Sequence, residues 1–204
     1  MSNSNSEDAL ICGLLATPAD QEDSAIESRL DWYQKLSSGD CEVQLETLVK
    51  LGQHQNVSGV CELVIGFAGS RIDSHRAAAA KALERSVQPT SVETPALIAA
   101  LADVSDGEIS YWAATLLGRL GQQAMEATGA LCDCLQESSF LAARERAAWA
   151  LLKIGPAASE AIPVLKSVSE TAPARLRKLC QNAIGEIGIG EIGIGVGAAG
   201  QRAA

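Results

Sequence analysis

Aromatic residues make up only 3% of this chain, although hydrophobic residues make up 47% of it. A core with so few large rings has to be built from Ala, Leu, Ile and Val, and side chains of that size allow helices to approach one another closely. The composition therefore favours many small helix contacts over one large aromatic core.

Basic residues are also scarce. The 204 residues contain 16 Lys and Arg against 25 Asp and Glu, and the formal net charge is −9. Proteins that bind polyanions need a basic footprint that releases counterions. We therefore expect neither a nucleic acid nor a membrane surface as partner, and the acidity favours a protein partner with basic groups.

Metal and catalytic signatures are missing. The chain has two histidines, His54 and His75, and its six cysteines follow no metal-ligand spacing. On a helix, Cys132 and Cys134 would point about 200° apart, so core filling explains them better than zinc binding. No Gly-Lys-Ser/Thr phosphate loop is present. We predict no catalytic residues, no metal, no cofactor and reduced thiols.

Targeting features point to the cytoplasm. No apolar run approaches the roughly 18 residues that a membrane-spanning helix requires. The first ten residues, MSNSNSEDAL, lack the basic and apolar regions of a secretory signal. A cytoplasmic location is the expectation.

What the chain does contain is a five-fold echo. Its copies end at residues 52, 86, 121, 155 and 188, so successive ends lie 34, 35, 34 and 33 residues apart. The echo segments are TLVKLG, KALERS, LLGRLG, ALLKIG and AIGEIG. A repeat of this length is typical of a solenoid, in which each unit contacts its neighbours and function lies on an extended surface.

Each echo is predicted to end an amphipathic helix. Small or aliphatic residues recur mostly eight, seven, four and one positions before each end, which places them on one stripe, and four of the five ends are Gly. A second helix is predicted to follow in four units, over residues 57–66, 94–104, 128–137 and 162–169. The last echo helix, 174–187, has no second helix after it.

These residues resemble the HEAT repeats, and among them the short bacterial type of phycobilisome-lyase-like proteins. The resemblance covers about residues 40–188. Two units carry it best, through Leu101, Asp103, Asp106, Ile109, Ala113, Ala114, Leu117, Leu120 and Gly121 and through Arg144, Ala147, Ala148, Leu151, Ile154 and Gly155. It implies an all-α superhelix of about four to five helical hairpins. It also implies a ladder in which basic residues meet preceding acids, with Glu137–Arg144 and Glu170–Arg177 as the pairs.

The resemblance leaves two functions open. The first is a non-catalytic scaffold or adaptor that binds a protein through a concave face lined by the second helices. The alternative is a bilin lyase, or a lyase-like chaperone of tetrapyrrole attachment, which would make the chain an enzyme by family resemblance alone.

Candidate contact residues come from the rare aromatics. Three of them lie off the buried stripe, where they either fill gaps between units or anchor an interface. Acids near the helix ends would form the rim. The predicted protein-binding residues are Tyr111, Trp112, Trp149, Glu93, Glu108, Glu137 and Glu170.

Four segments are predicted along the chain. Residues 1–6 form a disordered tail, 7–37 form helices that cap the array, 38–188 form the solenoid and 189–204 form a Gly-rich tail. Because no second helix follows 174–187, this end either frays or offers an association surface, and a homo-oligomer is the expectation for the second case.

Overall fold

The computed structural model describes residues 29–102 and 106–195, with side chains described as far as Gly188. The predicted tail 1–6, most of the predicted cap 7–37, and residues 196–204 lie outside the described residues.

The described chain is an all-α solenoid, which confirms the predicted fold class. Residues 29–37 are helical and are called α1. The remaining helices are α2 (Cys41–Leu51), α3 (Cys61–Ala68), α4 (Asp73–Arg85), α5 (Thr94–Leu101), α6 (Gly107–Leu120), α7 (Thr128–Glu137), α8 (Leu141–Ile154), α9 (Ile162–Thr171) and α10 (Ala174–Gly195). The even-numbered helices α2 to α10 are the first helices of successive units, and α3, α5, α7 and α9 are the second helices. Among the first helices, α2 packs on α4, and α8 packs between α6 and α10.

The predicted stripe forms the core between neighbouring units. Ala113, Ala114 and Leu117 of α6 are fully buried, as are their counterparts Ala147, Ala148 and Leu151 of α8. Because the side chains facing the neighbouring helix are mostly Ala, α6 and α8 pack closely along their length. Asp106 caps the start of α6, where its carboxylate accepts hydrogen bonds from the backbone N–H groups of Glu108 and Ile109.

Three of the four predicted glycine stops are confirmed, because α2, α6 and α8 end directly before Gly52, Gly121 and Gly155. Gly121 and Gly155 have φ angles of +57° and +69°, which favour glycine, and each ends a first helix. After each of them a 3-10 segment, Gly121–Ala127 or Gly155–Ala161, leads into the second helix.

Gly188 does not stop its helix. The prediction that the last helix ends at residue 187 was wrong, since α10 continues to Gly195. Glycine inside a helix costs about 1 kcal/mol relative to alanine, which weakens a helix without breaking its hydrogen bonds.

The predicted helix over 57–66 is also wrong at its start. Val57–Ser58 forms a short strand, β1, that pairs in parallel with β2, Val87–Gln88. Asn56 and Gly59 have φ angles of +57° and +78°, so no helix can run through this segment, and α3 begins only at Cys61. The second helix at 128–137 has its predicted bounds, the one predicted over 162–169 continues to Thr171, and the one predicted over 94–104 ends at Leu101.

Arginines link consecutive helices, but by a different contact from the predicted ion pairs with Glu137 and Glu170. Arg144 Nε donates to the carbonyl of Leu135 at 2.8 Å, and Arg177 Nη2 donates to the carbonyl of Ala172 at 3.0 Å. The last carbonyls of a helix have no partner within that helix and carry a partial negative charge. These arginines therefore cap helix ends.

The cysteines in the described residues are free thiols. Cys61, Cys132, Cys134 and Cys180 are buried, and Cys41 is exposed. In the same part of the chain, no cluster of three or more His, Cys, Asp or Glu could hold a metal ion. None of the described helices has the length and apolarity needed to cross a membrane.

Candidate binding groove on the first helices

Three successive first helices bring an aromatic and cationic cluster together. Tyr111 lies on α6, Arg146 and Trp149 lie on α8, and Arg175 and Lys178 lie on α10. These side chains line an open cavity of about 460 Å³, together with Ala142, Glu145, Leu179 and Asn182. We call this cavity the first-helix groove.

Arg146 is held at the centre of the groove by two rings. Its Nη2 donates to the Tyr111 hydroxyl at 2.6 Å. Its Cζ lies 4.8 Å from the ring centroid of Tyr111 and 5.5 Å from that of Trp149. A guanidinium within about 6 Å of an aromatic face is attracted by the ring quadrupole. The two rings therefore fix the position of the charge while the groove stays open.

Arg175 is anchored by Glu145 at the edge of the groove. Its Nε lies 3.1 Å from Oε2 of Glu145, whose side chain is 13% exposed, whereas the Arg175 side chain is 81% exposed. The ion pair uses Nε, and within the described residues the two terminal nitrogens of Arg175 bind nothing else.

The groove reverses the charge of the chain locally. Its lining contains three cations, Arg146, Arg175 and Lys178, against one acid, Glu145. The lining thus carries a formal charge of +2 (three minus one) in a chain of −9. Lys153 adds a further cation beside the groove, with Nζ 5.9 Å from the Trp149 ring centroid.

Two of the three predicted aromatics meet in the groove and the third does not line it. Tyr111 and Trp149 are half-buried and line the cavity. Trp112 is only 8% exposed and packs into the core, with its ring centroid 5.2 Å from that of Tyr111 in a T-shaped arrangement. Trp112 therefore supports the groove from beneath.

The four predicted rim acids do not line the groove. Glu93 is half-buried, and its carboxylate accepts hydrogen bonds from the backbone N–H of Cys61 at 2.8 Å and of Thr90 at 3.0 Å. Glu108 is exposed in the first turn of α6. Glu137 and Glu170 are exposed near the ends of α7 and α9, which are second helices.

Comparison with known proteins assigns the repeat. A family model described as HEAT repeats matches residues 94–185. The match covers 92 of the 204 residues and shows that these residues are similar to HEAT repeats. Among solved structures, the chain is similar to a designed armadillo repeat protein, YIII(Dq)4CqI, with a TM-score of 0.43 and 13% identity over 77% of this chain and 98% of that chain. No curated protein matches the chain.

The cations of the first-helix groove were missed by reasoning from the sequence, although a signal for one of them was present. Arg146 follows Tyr111 by 35 residues, which is one repeat length. In a stacked array, residues one repeat apart lie on neighbouring first helices, so an aromatic and a cation at this spacing are expected to meet.

Among the described residues, three other cavities lie along the solenoid, and one of them, of about 310 Å³, is lined by Arg29, Leu30, Tyr33 and Gly59. Another of about 460 Å³ is polar and is lined by residues 52–56 with Lys81, Arg85 and Ser86. The last, of about 180 Å³, lies beside the ends of α5 and α7 and includes Leu101, Cys134 and Glu137. The linings of the polar 460 Å³ cavity and the 180 Å³ cavity contain no Tyr, Trp or Phe, and that of the 310 Å³ cavity has one ring and one cation, whereas the first-helix groove has two rings and three cations.

Proposed function

We propose that this chain is a non-catalytic HEAT-repeat scaffold that binds another protein, and that the first-helix groove is its contact surface. One observation carries the proposal: Arg146 is positioned between Tyr111 and Trp149 in an open groove. Tyr, Trp and Arg are the residues most enriched among the contacts that dominate protein–protein binding energies.

The pre-arranged side chains support binding rather than mere packing. A flexible arginine loses conformational entropy when a partner immobilises it, which lowers affinity. Here the Tyr111 hydroxyl and two rings already restrict Arg146, and Glu145 already restricts Arg175. A partner that contacts these groups would incur less of that entropic loss.

The composition of the second helices makes them a weaker candidate surface. The sequences TPALIAAL in α5, TGALCDCLQE in α7 and IPVLKSVSET in α9 contain no aromatic residue and no arginine, and α3 contains one aromatic residue, the half-buried Phe67. A face lined by these helices, which the family resemblance favoured, would therefore lack the usual anchors of an interface.

Site-specific photo-crosslinking separates the two surfaces. A benzophenone amino acid would be placed at Ala142 or Asn182, which line the groove and are exposed. The matched control positions are Ala99 of α5 and Lys166 of α9, which are also exposed but lie on second helices. We expect a discrete protein adduct from the groove positions in lysate of the native host.

Adducts from Ala99 or Lys166 alone would move the interface to the second helices, and no discrete adduct at any of the four positions would overturn the scaffold proposal.

Phycocyanobilin added to the purified chain tests the lyase alternative. A shift of the pigment's absorption bands on mixing would favour that alternative.

A further inference from the structure

We infer that the first-helix groove binds an acidic segment of the partner protein, with Asp or Glu carboxylates on its cations and an apolar side chain against Trp149. The inference rests on the proposed function, because it names the chemistry of the partner at that same groove. Its basis is the local charge reversal, three cations against one acid in a chain of −9.

The available donors fit carboxylates. Arg175 uses Nε for Glu145 and leaves its terminal nitrogens without a partner among the described residues. These nitrogens form a planar fork that matches the two oxygens of a carboxylate. Lys178 lies one helical turn further along α10 and is exposed, so a second acidic residue of an extended segment can reach it.

The remaining wall of the groove fits an apolar residue between the acids. Trp149 and Leu179 are both half-buried and line the same cavity, and they lie on adjacent first helices. Burial of an apolar side chain against them would contribute about 25 cal/mol for each Å² removed from water. The expected partner segment therefore alternates acidic and large apolar residues.

The rest of the surface argues against an extended polyanion. Nucleic acids present regularly spaced phosphates and require a cationic track much longer than one cavity. With three groove cations in an acidic chain, a longer polyanion would meet repulsion beyond the groove. A short peptide needs only the local charge, so an acidic peptide is the better match.

Selection from a library of displayed random dodecapeptides on the full chain tests the inference. We expect the enriched peptides to share at least two acidic residues and one large apolar residue. Their affinity should fall by about tenfold or more in Arg175→Glu/Lys178→Glu, because charge reversal replaces attraction by repulsion.

The matched control is Lys81→Glu/Arg85→Glu, which changes two exposed cations of α4 and gives the same net charge of −13, that is −9 minus 4. This control should change the affinity by less than about threefold. In the unaltered chain, affinity for the selected peptides should also fall as sodium chloride is raised, which provides a readout that needs no variant.

Several outcomes would overturn the inference. The first two are enrichment of neutral or basic peptides and an equal loss of peptide affinity in the two charge-reversed variants. The others are binding that does not depend on salt, and tighter binding of a phosphoserine peptide than of the same peptide with glutamate. A peptide of residues 1–28 that binds more tightly than the selected peptides would also overturn the inference. These residues contain six acids and no Lys or Arg, and the result would mean that the groove binds a segment of its own chain. Crosslinks at the groove to a segment without acidic residues would reject this inference and leave the proposed function standing.

Discussion

Trp149 of α8 packs directly on the buried Gly118 of α6. A Cβ atom built on Gly118 would overlap the Trp149 ring at Cζ3 and would lie 3.1 Å from the Cα of Ala150. Because Gly118 has no side chain, it leaves the space that the indole occupies. It therefore sets the position of the ring that forms one wall of the first-helix groove.

Gly118→Ala is therefore expected to destabilise the chain. Alanine favours a helix over glycine by about 1 kcal/mol, whereas overpacking a buried site costs about 1–3 kcal/mol, so we expect a net loss of about 1 kcal/mol in the free energy of unfolding. Urea denaturation followed by circular dichroism measures the loss. Displacement of Trp149 should also shift its fluorescence emission to longer wavelength.

Gly66→Ala is the control for this substitution. Gly66 lies inside α3, is exposed, and has no atom within 4 Å of a built Cβ. Here the gain in helix propensity is not offset, and we expect stability to rise by about 0.5–1 kcal/mol. A Gly118→Ala chain as stable as the Gly66→Ala chain would show that Trp149 does not need this space.

The repeat itself could be predicted because its signals are local. Ala113 with Ala114, and Ala147 with Ala148, lie at the same place in two echoes, and both pairs are buried where the period puts them. Tyr111 and Trp149 stood out because aromatics are rare in this chain.

Features that depend on distant partners could not be predicted in this way. Val57 was expected in a helix, but it pairs with Val87, thirty residues away, which no local window contains. The family resemblance implied that Arg144 binds Glu137, yet Arg144 donates to the carbonyl of Leu135, which has no other partner in its helix. The cation cluster forms because α6, α8 and α10 stack side by side. The repeat period predicts that these helices stack, but it does not predict which of their side chains meet.

The half-buried Arg119 is expected to stabilise the chain by binding carbonyls at the end of α4. Its guanidinium donates to the carbonyls of Leu83 at 2.6 Å, Glu84 at 3.1 Å and Val87 at 3.2 Å, and so joins α6 to the end of α4. Arg119→Met would leave three carbonyls without this donor. We expect a loss of about 2–4 kcal/mol in urea denaturation.

Lys153→Met is the matched substitution, since Lys153 occupies the equivalent position one repeat later and is exposed. Its Nζ contacts the Trp149 ring at 5.9 Å from the centroid. We expect its loss to stay below about 1 kcal/mol. Equal losses for Arg119→Met and Lys153→Met would mean that capping of α4 contributes nothing measurable.

The Tyr111–Arg146 hydrogen bond is predicted to couple the two repeats energetically. Tyr111→Phe removes the hydroxyl and keeps the ring, and Arg146→Met removes the guanidinium and keeps much of the chain length. In a double-mutant cycle of unfolding free energies, we expect a coupling of about 0.5–1.5 kcal/mol. A cycle that closes with no coupling would indicate that the 2.6 Å contact is not maintained in solution.

Stability should fall at alkaline pH because burial raises the pKa of four thiols, those of Cys61, Cys132, Cys134 and Cys180. Burial raises the pKa of Cys132 and of Cys134 from the usual 9.0 to about 11, and Asp133 adds to the rise at Cys132. Between pH 9 and 11 the folded chain therefore holds thiol protons that the unfolded chain has lost. The free energy of unfolding must then decrease as pH rises through this window, by at most about 1.4 kcal/mol per pH unit for each thiol. Urea denaturation across pH 8 to about 11 measures the slope, and Cys132→Ala/Cys134→Ala should give a shallower one, since the two chains differ in no other ionisable side chain. Parallel curves for the two chains would mean that these two thiols ionise as readily in the folded state as in the unfolded state.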